Sequence, residues 1–219
     1  MFPLQPNKTY IVGTMNVTPD SFYDGGKYFD VVDTAVVRAR QMVEEGADII
    51  DIGGESSRPG ATPVTEEEEL RRVLPVVQAI ASEMDIPISV DTMKPGVARE
   101  ALKHGAKIIN DITGLTDPEM IATVAAYQVP VVLMHMQGTP LTMQIQPHYD
   151  DVITEIKKFF QERILAATQA GTFSAIFTYL FSILILKEAL PLFNSLAFIF
   201  LIFGIFLLGK VERHVFSSA

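Results

Sequence analysis

Cysteine is absent from the 219 residues. That excludes a disulfide framework, a cysteine metal site and a cysteine nucleophile. Basic residues are scarce: 17 Lys and Arg stand against 26 Asp and Glu, a formal net charge of -9. An acidic chain of this kind argues against nonspecific binding to nucleic acid, while leaving room for a locally basic site. The first residues lack a basic stretch followed by an apolar core and a small-residue cleavage site. No signal peptide is therefore expected, and the polar part is assigned to the cytoplasm. Charge of either sign is short in one region above all. From Gly171 onward there are 3 basic and 2 acidic residues, against 14 and 24 before it. The expected division is a soluble domain over 1–170 and an apolar appendage over 171–219.

Within the first part, short β-branched runs alternate with helical periodicity. Strands are expected at Tyr10 to Met15, Asp48 to Ile52, Ile88 to Asp91, Lys107 to Asn110 and Val131 to Met134. Between them, Val32, Val36, Ala39, Met42 and Val43 recur at helical spacing, with Gly46 at the stop. Thr65 followed by Glu68 forms a capping box, and the acidic run Glu66 to Glu69 reads as a solvated helix start favoured by the helix dipole. Pro75 is expected to kink that helix. Pro95 suits the first position of the next, which ends at His104 and Gly105, and Asp117-Pro118 reads as N-cap and first residue of the fourth. A fifth helix is expected from about Asp150 to Ala170. Five strand-loop-helix units with nonalternating strands predict a parallel sheet covered by helices.

Polar residues cluster at the ends of these strands. Asn16, the loop Gly53 to Arg58, Asp91, Asn110 and His135 each lie at or just beyond the C-terminal end of a successive strand. In parallel α/β folds those ends converge on one face, where sites are built. Gly53 and Gly54 allow backbone amides to approach a ligand, and Ser56, Ser57 and Arg58 supply donors suited to an anion with several oxygens. The competing assignment makes Asn16 and Asp20 ordinary turn residues and Asp91 a helix cap. His104 reads as a C-terminal dipole partner, His135 as a structural hydrogen-bonding residue, and His148 carries no signal.

The motifs Thr14-Met15-Asn16-Val17-Thr18-Pro19-Asp20-Ser21-Phe22, Asp51-Ile52-Gly53-Gly54-Glu55-Ser56-Ser57-Arg58-Pro59-Gly60, Ser89-Val90-Asp91-Thr92, Ile109-Asn110-Asp111 and Leu133-Met134-His135-Met136-Gln137-Gly138 together resemble dihydropteroate synthase, the folate-pathway enzyme that sulfonamides inhibit. The match runs from about Ile11 to Gly171. The resemblance implies a TIM (β/α)8 barrel that joins 4-aminobenzoate to 6-hydroxymethyl-7,8-dihydropterin diphosphate, forming 7,8-dihydropteroate and releasing diphosphate. It also implies that Asn16 helps hold Mg2+ and the diphosphate and that Arg58 contacts the diphosphate region. Ser57 lies where threonine is usual, with the hydroxyl retained. Asp91 and Asn110 look like readers of the pterin edge, Met134 packs on the pterin face or in the core, and Phe22 borders the aminobenzoate.

The family pattern stops after Gly171. A sixth strand ending in Asp-Pro-Gly, a seventh ending near a lysine, and an eighth with an Arg-x-His pair do not follow. The expected fold is thus a partial barrel of five βα units out of eight, with two open edges and an exposed apolar interior. The implied activity is impaired, and poor stability, dimerisation or misfolding is expected. The alternative is an inactive, membrane-tethered binder of pterin or diphosphate. The tail reads as a hydrophobic helical hairpin, Thr172 to Leu186 and Ala189 to Leu208, turning at Lys187-Glu188 and Pro191. Leu192 to Leu208 would extend about 26 Å at ~1.5 Å per residue, close to a hydrocarbon thickness of roughly 30 Å. Lys157, Lys158 and Arg163 before it, and Lys210, Arg213 and His214 after it, place both ends on the cytoplasmic side. This hairpin resembles the last two helices of EamA-like drug/metabolite transporters.

Overall fold

A computed structural model describes residues 8–18, 28–56, 61–170 and 175–177, without the side chains of 28–30 and 175–177. Six parallel strands lie in simple sequence order: β1 (Val12–Asn16), β2 (Ile49–Gly53), β3 (Ile88–Asp91), β4 (Ile108–Asp111), β5 (Val131–Leu133) and β6 (Ala175–Phe177). Between them run α1 (Tyr28–Glu44), α2 (Glu66–Glu83), α3 (Pro95–Lys103), α4 (Pro118–Tyr127) and α5 (Val152–Gln169). The five expected βα units are present, each boundary within a few residues of its sequence signal.

Side-chain caps close the starts of α2, α4 and α5, at Thr65 and Asp117 as the sequence predicts and at Asp151 besides. Thr65 Oγ1 accepts from Glu68 N at 3.2 Å, Asp117 Oδ1 from Glu119 N at 2.7 Å, and Asp151 Oδ1 from Ile153 N and Thr154 N at 3.1 and 3.2 Å. Gly46 follows α1 at φ +105°, a conformation that side chains with a Cβ resist. His104 caps α3, its Nδ1 2.7 Å from the Glu100 carbonyl oxygen. The helix assignment continues through Pro75 from Glu66 to Glu83.

The sheet's two faces differ in chemistry. Met15, Ile52, Val90, Ile109 and Val131 occupy one register row, and all are buried against the helices. Against them pack Ala35 and Ala39 from α1, Val73, Val77 and Ile80 from α2, Val97 and Ala101 from α3, and Met120 and Val124 from α4. Their spacings of three and four residues mark the inward stripe of each helix. Each fully buried Val, Ile or Leu contributes about 1.5–3 kcal/mol, so this layer dominates stability.

Two expectations need correction here. The sheet has a sixth strand: Ala175–Phe177 pairs in parallel with β5, aligning Ala175 with Val131 and Phe177 with Leu133. The count of five strands, and a hairpin helix running through 172–186, therefore fail at these three residues. Once α5 returns the chain to the sheet, the unpaired backbone groups of β5 favour extension of a short Ala-Ile-Phe run. The sheet face turned away from the helices is also not simply apolar. Val12 is about half exposed there, but Thr14, Asn16, Asp51, Ser89, Asp91 and Asn110 populate its upper rows. The rest of the expected hairpin, its transporter resemblance and its membrane span lie outside the described residues. Among the described residues no helix is long and apolar enough to cross a membrane.

Candidate functional site

Strand register builds the site. Asn16 aligns with Gly53, Gly53 with Asp91, and Asp91 with Asn110. Three of the expected site residues thus share one row across four adjacent strand ends. At roughly 4.8 Å between strands, Asn16 and Asp91 stand ~10 Å apart with a glycine between them. A Cβ at Gly53 would lie 3.5 Å from Asn16 Oδ1 and 3.6 Å from Asp91 Cβ. The gap between the amide and the carboxylate stays open because position 53 has no side chain.

Beneath this row lies a second one: Thr14, Asp51 and Ser89. The Asp51 carboxylate is buried, and its Oδ2 accepts from Asn110 Nδ2 at 3.1 Å. Loss of hydration raises its pKa, partly offset by hydrogen bonds from Ser89 and Asn110. Asp91 is raised well above the ordinary carboxylate value. Loss of hydration is the main cause, followed by the carboxylates of Asp51, Glu69, Asp111 and Glu55. Lost hydration and neighbouring carboxylates both disfavour the ionised form, and a ligand offering donors or positive charge would oppose them.

A compact ionic cluster joins the β2 and β3 loops. Lys94 Nζ bonds both Glu55 and Glu69, and Glu69 is 1% exposed. Burial opposes the charge on Lys94, yet bonds to both glutamates win and raise its pKa. Arg72 Nη1 donates to the Gly54 carbonyl oxygen at 2.9 Å, so α2 also grips this loop. Glu55, Ser56, Glu69, Asp91, Thr92 and Met93 line a small pocket at the junction. The reading of Glu66 to Glu69 as a solvated helix start thus fails for Glu69. It lies on the inward stripe of α2 with Val73, Val76 and Ile80, and Lys94 supplies its counter-charge.

Asp111 is structural. Its Oδ1 accepts from Thr113 N and Thr113 Oγ1 at 2.8 and 2.7 Å, and its Oδ2 from Leu115 N at 3.0 Å, folding the turn after β4. Met134 is partly buried just past β5, its N 3.4 Å from the Asp111 carbonyl oxygen. His135 packs in an aromatic group, 4.8 Å from the Phe159 ring and 5.9 Å from Tyr149, and among the described residues the hydrogen bond expected for it is not seen. Burial lowers its pKa. Phe22, Ser57 and Arg58 lie outside the described residues. Sequence reasoning missed Asp51, Glu69 and Lys94 as parts of the site. The signal for Asp51 was an ionisable residue inside a strand, and for Glu69 one on the apolar stripe of a helix.

A family model described as a pterin binding enzyme matches residues 12–177, a span that takes in all six strands. The chain belongs to the pterin binding enzyme family. Among members of that family, the dihydropteroate synthase of Escherichia coli (strain K12) is 54% identical over 162 residues, 74% of this chain and 57% of that protein. The dihydropteroate synthase of Synechocystis sp. is 48% identical over 165 residues, 75% of this chain and 57% of the relative. Two crystal structures of pterin binding enzymes give the same picture. The Yersinia pestis dihydropteroate synthase with a sulfonamide drug superposes with a TM-score of 0.73 at 46% identity, covering 80% of this chain and 64% of that one. The Thermus thermophilus enzyme in complex with 4-aminobenzoate gives 0.76 at 40% identity, covering 94% and 72%. The chain spans just over half the length of the curated relatives it matches.

Proposed function

We propose that this chain uses the strand-end row to bind a dihydropterin and acts as a dihydropteroate synthase in folate biosynthesis. The carrying observation is the alignment of Asn16, Gly53, Asp91 and Asn110 in one register row, within a segment 54% identical to a dihydropteroate synthase. In the reaction, the amine of 4-aminobenzoate forms a bond to the methylene carbon of the pterin. The carbon–oxygen bond to diphosphate breaks, diphosphate leaves with the electron pair, and the amine gives up a proton. Asp91 and Asn110 read the ring edge, the first as a carboxyl that can donate or accept, the second as an amide. Met134 lies against the ring face, and Phe22, Ser57 and Arg58 serve the aminobenzoate and diphosphate sides.

Mg2+ fits this donor set in one way. Asn16 offers an exposed amide oxygen beside an open gap, and a magnesium ion is commonly held by few protein oxygens with substrate phosphates and water completing six. Among the described residues no group of three or more acidic or histidine side chains could hold a metal ion. Asn16 would therefore share the ion with diphosphate, where it neutralises charge growing on the leaving group.

The deciding experiment measures diphosphate release by full-length protein in detergent, with both substrates and magnesium, beside Asn16→Ala. Turnover that falls at least tenfold in the variant is the expected result. A folded protein without turnover would favour the second reading, a membrane-tethered binder. That reading rests on the apolar composition of residues 178–219. In either case we place the pterin site on the cytoplasmic side, treat 178–219 as a membrane-associated part resembling a transporter hairpin, and expect a homodimer.

A further inference from the structure

The row beneath the site holds a carboxylate that the proposed chemistry does not use. Asp51 sits in β2, two residues before Gly53, and is 6% exposed. Its side chain points to the same sheet face as Asp91 and Asn110, because Asp51 aligns with Ser89, two residues before Asp91. Through Oδ2 it receives Asn110 Nδ2 from β4 across the intervening strand, at 3.1 Å. A carboxylate can accept but not donate, whereas a carboxamide has one end of each kind. The partner therefore decides which end of the Asn110 amide turns down into the sheet. Asn110 is itself half-buried, and no other hydrogen bond engages its side chain among the described residues.

We infer that Asp51 is a positioning residue that locks the Asn110 amide with Nδ2 toward the sheet and Oδ1 toward the open strand ends, so the ligand atom meeting Asn110 Oδ1 is a hydrogen-bond donor such as an N–H. This deepens the pterin-binding reading and rests on it for the identity of the ligand. A dihydropterin has the required chemistry, since its ring edge carries an amino group and ring N–H groups beside carbonyl and ring-nitrogen acceptors. With Oδ1 of Asn110 fixed as acceptor, one orientation of the ring matches and the flipped one sets acceptor against acceptor. The lock lies inside the sheet, so its rigidity comes from the strands and survives movement of the loops above.

The test uses the full-length chain in detergent, labelled with 15N-asparagine. There are four asparagines, and Asn110→Asp identifies the Asn110 amide signal by its loss. In the ligand-free wild type the Asn110 amide protons should exchange with water at least tenfold more slowly than in Asp51→Leu, while Asp51→Asn, which still offers an acceptor oxygen, keeps the protection. Equal exchange in wild type and Asp51→Leu overturns the lock. A second arm titrates 7,8-dihydropteroate by calorimetry. Asp51→Leu and Asn110→Asp should each weaken binding at least tenfold, and Asp51→Asn combined with Asn110→Asp should return it to within about threefold of wild type. In that pair the amide at 51 donates to the carboxylate at 110, leaving an acceptor facing the ligand. Loss in the double variant equal to that of Asn110→Asp alone overturns the inference. Should the leucine variant fail to fold, the near-isosteric double variant carries the test. Wild type that binds no dihydropteroate would overturn the pterin reading alone, with the exchange arm still deciding the lock.

Discussion

A methyl group added at either of two adjacent glycines meets opposite fates. At Gly54 the new Cβ would lie 2.6 Å from Val73 Cγ2 and 3.0 Å from Glu69 Cγ, inside α2 where nothing can yield without moving the helix. Gly54→Ala should destabilise the protein by about 1–3 kcal/mol, read from urea unfolding. At Gly53 the nearest atoms are Asn16 Oδ1 at 3.5 Å, Asp91 Cβ at 3.6 Å and Asp91 Oδ2 at 3.7 Å, ordinary contact distances. Gly53→Ala should therefore change stability by less than about 1 kcal/mol while reducing dihydropteroate binding, because the methyl fills the space between amide and carboxylate. Unchanged binding by that variant would place the ligand elsewhere. Asp91 carries a different signature. Its folded pKa is raised well above the ordinary 3.8, so the folded state holds a proton that the unfolded state has released. The unfolded state then binds fewer protons, and stability falls as pH rises from about 4 through the raised value. Asp91→Asn should flatten that fall and leave the ligand-free protein more stable at pH 7 than wild type, while binding weakens. A stability–pH curve unchanged by the substitution would refute the burial account of Asp91.

Loops are held to elements by charge as well as by packing. Lys94, immediately before α3, bridges Glu55 after β2 and Glu69 in α2, so one ammonium ties three segments together. Replacing it with methionine would strand a carboxylate that is 1% exposed. Removing one partner of a buried pair costs about 3–5 kcal/mol, and the low end applies because Lys94 keeps a fifth of its side-chain surface in water. Lys94→Met should lower the urea midpoint accordingly, and adding Glu69→Leu should recover much of the loss, since the orphaned charge goes too. The outer charges of α2 behave differently. Glu68 is held at about 2 by hydrogen bonds from Arg71 and Arg72, and Arg72 also donates to the Gly54 carbonyl oxygen of the loop after β2.

At the scale of the molecule, the six-stranded sheet of the described residues ends at β1 and β6, each paired on one side among those residues. Closing a barrel requires eight, and the described chain does not supply them. β6 covers the far edge of β5 with three residues, and those residues belong to the segment matched by the family model. A chain ending at Phe177 should accordingly unfold at a higher urea concentration than one ending at Ala170. Identical midpoints would mean that β6 adds nothing to the sheet. Open edges also favour association through backbone pairing. Sedimentation should show concentration-dependent self-association of the chain ending at Phe177.

Five strands, five helices and the row Asn16, Asp91, Asn110 were legible in the amino-acid order, because buried parallel strands need unbroken β-branched runs and helices announce their ends with Thr65, Asp117 and Gly46. The motifs around those strand ends were long enough to carry the family. What only the tertiary structure decided involves partners distant in sequence. Ala175–Phe177 became a strand because β5 presented unpaired backbone groups; their composition matches the apolar run that follows. Glu69 was hidden in a run of four glutamates, and its burial depends on Lys94, 25 residues away. The orienting role of Asp51 depends on Asn110, 59 residues away. Periodicity reports which face a residue occupies, but the partner that stabilises a buried charge is set by strand register, which forms only when the sheet does.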